Sequence, residues 1–238
     1  MVTPDQVRPG KFIAVEGIDG SGKSHLVRAM TNDSGCATGT NFTYLWKDHW
    51  GTSDGSPIGD RLARMHALTW GYPRTEEVWL YSEQYWLHMI CAWYRLFFET
   101  KVVPHLEAGS NVIVDGWFYK HAARFAVNNR VEVARLAADY FAAVPAPDLV
   151  VLLDTPAEVA ATRLQSAMKP TESGAFASKS ASGGSEGFVA YQSRVSQALS
   201  QEISKRSVLR ALQSGDAESN LHGALNIIDS ELKLIGSL

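Results

Sequence analysis

An α/β fold, a parallel sheet with helices on both faces, is what this sequence of 238 residues predicts. Two patterns carry that expectation. Five short apolar runs, Phe12–Glu16, Thr43–Trp46, Asn111–Asp115, Leu149–Asp154 and Leu225–Ile228, have the length and continuity of strands buried on both sides. Helical periodicity separates them, and that alternation requires right-handed crossovers and a sheet covered on both faces. Ligand sites in such open sheets form at the carboxyl ends of the strands, which is where Glu16, Lys47, Asp48, Asp115 and Asp154 fall. There is no internal repeat, so the chain reads as one domain, 1–238.

The first strand leads into the most informative segment, FIAVEGIDGSGKSHLVR at residues 12–28. Gly17, Gly22, Lys23 and Ser24 satisfy the phosphate-loop pattern G-x-x-x-x-G-K-[ST], with a strand before it and a helix after it as the motif requires. Glycine lets backbone N–H groups approach phosphate oxygens, and the helix that follows points its positive end at the same anion. The donor-binding segment is therefore Gly17, Asp19, Gly20, Ser21, Gly22, Lys23, Ser24 and His25. Lys23 is expected at the β- and γ-phosphates and Ser24 on Mg²⁺. Asp115, closing the run IVD, is the second candidate ligand for the metal or its water shell, unless it only caps the next turn. Asp19 is a negative charge inside a phosphate loop. It reads as a holder of a sugar hydroxyl or metal-bound water, or as a solvated turn residue. Arg163, two turns into the helix after Asp154-Thr155-Pro156, is either a phosphate-stabilising cation or a solvent-facing one.

Composition narrows the classes. A net charge of −3 with no basic run argues against a nucleic-acid polymer as partner, and no stretch is apolar enough to span a membrane. No signal-peptide pattern is evident, and Cys36 and Cys91 lack metal-site spacing, which together suggest a cytoplasmic protein. Neither a histidine zinc motif nor a base near Ser82 or Ser193 indicates hydrolytic chemistry. A helix from about Glu76 to His105, containing WLYSEQYWLHMICAWYRLFF, is apolar on nearly every face. It is either core, or a dimer interface and wall of an acceptor pocket. Residues Lys169–Gly187, rich in Ser, Gly and Ala, read as a tether or as a mobile lid within about 163–190. A long helix is predicted after it, from about Phe188 to Gln213.

These features, in order, resemble the thymidylate kinase family of P-loop nucleoside monophosphate kinases. FIAVEGIDGSGKS is similar to that family's opening strand and phosphate loop. DGSPIGDRLARM at Asp54–Met65 resembles its glycine-rich loop and helix, PRTEEVWLYSEQYWLH at Pro73–His88 its acceptor-binding helix, VIVDGW at Val112–Trp117 its Asp-Arg-Tyr strand, and LLDTPAEVAATRL at Leu152–Leu164 its approach to the lid. The resemblance implies a three-layer P-loop NTPase fold with strand order 2-3-1-4-5, a lid, a homodimer, and transfer of the γ-phosphate of ATP to a nucleotide such as dTMP. Asp19 would then contact the acceptor sugar and Tyr81 would stack on the base. Glu16, Asp48, Gln84, Tyr85, Trp117 and Lys120 would complete the acceptor site.

The departures fall on the acceptor side. Three family arginines are absent: Gly51 or its neighbours, Gln84-Tyr85 and Gly116 stand in their places. Lys47, Arg61, Arg74, Lys120 and Arg124 are the nearby cations available to compensate. Three readings follow: a kinase of nucleoside monophosphates, a kinase of a nucleoside or other small-molecule hydroxyl, and a non-catalytic nucleotide-binding module. In the second, Asp115 or Glu16 would assist deprotonation.

Overall fold

The computed structural model of the chain describes residues 10–32, 42–45, 51–73, 76–128, 131–175, 184–213 and 215–235. Its centre is β1 (Phe12–Glu16), all of it inaccessible to solvent. A strand covered on both faces needs apolar side chains at successive positions, which is why Phe12-Ile13-Ala14-Val15 shows no alternation. β1 pairs in parallel with β3 (Asn111–Asp115) and β4 (Leu149–Asp154). β2 (Phe42–Leu45) adds to the outer edge of β3, and β5 (Val208–Gln213) to that of β4, giving the order β2-β3-β1-β4-β5.

The pleat divides the core in two. Ile13, Val15, Ile113, Val151 and Leu153 face a smaller cluster closed by α1 (Lys23–Asn32) and α9 (Ala217–Ile235). Phe12, Ala14, Val112, Val114, Val150 and Leu152 face the larger cluster. That side is covered by α2 (Pro57–Trp70), α3 (Glu83–Phe97), α5 (Tyr119–Val127), α6 (Val131–Ala142), α7 (Ala157–Leu164) and α8 (Gly184–Ser204). The helix α3 continues through a π-helical turn at Phe98–Val102 into α4 (Val103–Glu107).

The apolar helix starts later than its composition suggests. Ser82, whose hydroxyl accepts from the Tyr85 N–H at 3.1 Å, caps α3, so Glu76 to Tyr81 lie outside it. Its aromatic content is mainly core: Trp86, Trp93, Tyr94, Phe97 and Phe98 are buried, and Trp93 stacks on Phe97 with centroids 4.8 Å apart. Gln84, Tyr85 and Arg95 define the exposed side.

The fifth strand is not Leu225–Ile228. Leu221, Ala224, Leu225, Ile228 and Leu232 recur at helical spacing, and α9 lays that stripe against the smaller cluster. The strand is Val208–Gln213, which the sequence reading assigned to the end of a long helix. That helix stops at Ser204, and after a three-residue connection the free edge of β4 recruits Val208–Gln213 in register from Leu149↔Val208 to Asp154↔Gln213. An unpaired edge beside a buried strand outweighs the weak helical preference of VLRALQ. Among the described residues, no helix is long and apolar enough to cross a membrane.

The division of α3 into core and surface is measurable. Trp93→Ala should destabilise the fold by about 3–5 kcal/mol, and Gln84→Ala by less than about 0.5 kcal/mol. Urea unfolding with unchanged m-values checks both.

Candidate functional site

At the end of β1 the chain enters a loop whose backbone only glycine tolerates. Gly20 and Gly22 have φ of +78° and +99°, and a Cβ on Gly20 would stand 2.7 Å from the carbonyl oxygen of Ala160. Lys23, 5% exposed, folds back over this loop and donates to the carbonyls of Gly17 (2.8 Å) and Ile18 (2.7 Å). The opposite side is pinned through Ser21, whose carbonyl accepts from Thr155 Oγ1 (3.1 Å) and from the Arg163 guanidinium (2.9 Å). Arg163 therefore sits against the phosphate loop itself. Ser24 is half-buried on the first turn of α1, and His25 is exposed.

Asp115 closes β3 next to this loop, with its Cα paired to that of Val15. The residue is 1% exposed, and its Oδ1 is buried without a hydrogen-bond partner among the described residues. An unsatisfied buried carboxylate oxygen at the end of β3 has the chemistry of a ligand for a hard divalent cation, and the Ser24 hydroxyl on the first turn of α1 is an oxygen donor of the same class.

Asp19 is not a solvated turn residue. Its carboxylate pairs with Lys120 (2.6 Å) and with Arg124, and it also accepts from Gln192 Nε2 at 3.2 Å. Burial alone would raise its pKa. The guanidinium of Arg124, and then the ammonium groups of Lys120 and Lys23, overcome that and hold the carboxyl well below the usual range. For Arg124, burial favours the neutral form, and Asp19 more than offsets it, so the guanidinium stays charged.

These groups line a cavity of about 330 Å³ at the carboxyl ends of β1 and β3. Glu16, Asp19, Lys23, Trp117 and Lys120, five of the residues singled out from sequence, share it. Glu16 is fully buried, and its Oε1 accepts the Trp117 N–H at 2.8 Å. That contact exists because Gly116, at φ +80°, turns the chain back toward β1. The start of the segment read as a tether or mobile lid supplies a wall: Thr171 and Glu172, in a 3₁₀ turn at Pro170–Ser173, line the cavity, while 176–183 lie outside the described residues. The carboxylate of Glu172 accepts from the Lys169 N–H (2.9 Å), while burial and the charge of Asp19 push its pKa up.

A smaller pocket of about 70 Å³ continues from this cavity and shares Trp70, Tyr72, His121, Arg124 and Thr171 with it. Glu83, Trp86 and Ile90 form its α3 wall. Gln84 and Tyr85, predicted for the acceptor, line neither space and are exposed, because α3 presents its 83-86-90 face to the pocket instead; Tyr81, also predicted for it, is exposed ahead of the Ser82 cap and lines neither space. Arg61 is exposed on α2, while Lys47, Asp48 and Arg74 lie outside the described residues. Sequence reasoning missed Glu172, Gln192 and the Trp70–Tyr72 wall. Glu16, Trp117 and Lys120, with Arg124 four residues beyond Lys120 on the helix after Asp115, were its signals for this side of the site.

A glycine loop with an internal lysine, leaving the central strand of a five-stranded parallel sheet and opening on a strand-end cavity, defines a P-loop phosphotransferase fold. The family model described as thymidylate kinase matches residues 15–181. The chain belongs to the thymidylate kinase family of P-loop nucleotide kinases. A thymidylate kinase of Xylella fastidiosa strain M23 is 31% identical over 171 residues, covering 67% of this chain and 66% of the relative. The chain thus spans just under two thirds of that relative's length. One from Cupriavidus necator is 30% identical over 70% of this chain and 78% of its own length. The solved thymidylate kinase of Candida albicans shares the fold, with a TM-score of 0.60 over 93% of this chain and 92% of that one at 16% identity.

The Asp19 cluster has a pH signature. A carboxyl with a depressed folded pKa contributes stability that is fully present above its unfolded value of about 3.9 and is lost as pH falls toward the folded one. Asp19→Asn, which leaves two buried cations unpaired, should cost about 3 kcal/mol at pH 7. The gap between variant and wild type should hold down to about pH 5 and close below about pH 4, as read by urea unfolding across that range.

Proposed function

We propose that the protein is a Mg-ATP-dependent kinase that transfers the γ-phosphate to a nucleoside monophosphate. The observation that carries this reading is the continuous space running from Lys23, past Lys120 and Arg124, to the aromatic pocket of Trp70, Tyr72 and Trp86. A donor phosphate, an acceptor phosphate and a flat base require three such environments in that order. Family membership and the relatives named thymidylate kinase support the same reading.

Mg-ATP supplies the activated phosphoryl group, and Ser24 and Asp115 are the residues that would hold the metal. Lys23, released from the carbonyls of Gly17 and Ile18, reaches the donor's terminal phosphates. Arg163, already against Ser21, adds positive charge at the loop as negative charge spreads over the transferred group. The turn at Pro170–Ser173 and the lid of which it is part exclude water from the cavity.

A second reading rests on Glu16. A fully buried carboxylate lining the acceptor cavity can take a proton from an attacking hydroxyl, which a phosphate acceptor does not need. An ADP-release assay over matched nucleoside and nucleoside monophosphate panels, thymidine and dTMP among them, separates the two. Turnover of monophosphates is the expected result; turnover of nucleosides alone selects the second reading, and silence on both panels overturns both. Lys23→Ala should lower turnover at least about 100-fold.

A further inference from the structure

Resting on the monophosphate-kinase reading, we infer that Lys120 and Arg124 form the subsite for the acceptor's phosphate, and that Asp19 occupies it with its own carboxylate until a phosphomonoester enters. Two of the three positions where the family carries acceptor arginines are closed to that task here. Gly116 has a left-handed backbone that a side chain would strain, and its turn is used to bring the Trp117 N–H to Glu16. Gln84 and Tyr85 are exposed and line no part of the cavity.

The charge has moved to α5. Lys120 and Arg124 are one helical turn apart and project to the same side, into the cavity that Lys23 shares. Both grip a single carboxylate, Lys120 on Oδ1 and Arg124 on Oδ2. Two cations on one anion leave about one positive charge in excess, in a site with little solvent to screen it. Arg124 keeps donor capacity: its Nε is buried without a hydrogen-bond partner among the described residues. Of the acids lining the cavity beside Asp19, Glu16 already accepts the Trp117 N–H, and Glu172 is pushed toward its neutral form by burial and by Asp19. A phosphomonoester brings the negative charge that this arrangement lacks, whereas an alcohol brings none. A guanidinium and an ammonium also suit the tetrahedral oxygens of a phosphate.

Isothermal titration of wild type and variants with paired ligands, thymidine and dTMP and the corresponding adenine, guanine and cytosine pairs, tests this. The readout is the ratio of monophosphate to nucleoside affinity, which cancels losses at the base and sugar. Arg124→Gln and Lys120→Gln should each lower the ratio about 10- to 100-fold, and Arg124→Lys should recover part of it. Asp19→Asn, which removes the competing carboxylate, should raise it. Thermal unfolding of each variant confirms that it is folded at the assay temperature. Equal losses for nucleoside and monophosphate would mean that the cluster only braces the loop, and would overturn the assignment. So would an unchanged ratio, a ratio lowered by Asp19→Asn, or a wild type that binds no monophosphate. ADP release on nucleosides by a protein blind to their phosphates would sink this subsite while leaving a kinase. Monophosphate binding through Lys120 and Arg124 without any ADP release would keep the subsite and sink the kinase reading.

Discussion

The carboxylate of Asp19 ties together four parts of the chain that are far apart in sequence. It lies in the phosphate loop, holds Lys120 and Arg124 of α5, and accepts from Gln192 of α8. Gln192 in turn donates to the carbonyl of Glu172 at 2.8 Å, which brings in the turn at Pro170–Ser173. The phosphate loop, α5, α8 and the turn at Pro170–Ser173 therefore share one electrostatic node. Its buried cations make the node strong, and a half-satisfied version would be costly, because an unpaired buried charge is worse than none.

The node makes sense only on the sheet that presents it. β1 is buried on both faces and ends in the loop, and β3 beside it ends in Asp115-Gly116. Strand ends thus deliver Glu16, Asp115 and the glycine loop to one rim, and the helices on the larger face close the space above it. The aromatic load of α2 and α3 serves two ends at once. Trp93, Tyr94 and Phe97 fill the core, while Trp70 and Trp86 surface at its edge as pocket wall. Trp70 meets Trp93 edge-on with centroids 4.9 Å apart, so the wall is braced directly by the core.

The cavity draws its positive charge from a helix while the strand end beside it carries none. The turn at Gly116 gives up a side chain and gains a backbone donor for Glu16. Once that exchange is made, positive charge for the cavity must come from the next element that faces it, and α5 is that element.

How much was legible depended on how local the determining physics was. The sequence by itself determined the phosphate loop, because Gly20 and Gly22 answer a backbone requirement that neighbouring residues alone impose. It also determined β1, β3 and β4, since burial on both faces writes itself as an apolar run, and placed the half-buried edge strand β2 to within one residue. It could not say that VLRALQ is a strand and ALNII a helix, because the free edge of β4 and the exposed back of the smaller cluster decide that, and neither exists before the sheet forms. Nor could it tell which face of α3 meets the pocket: Gln84 and Tyr85 share the first turn with Glu83 and Trp86, and only packing against the core selects between them. The partners of Asp19 lie 101, 105 and 173 residues away. Coulombic contacts at such separations carry no sequence signature, so tertiary structure alone decided which charges meet in the cavity.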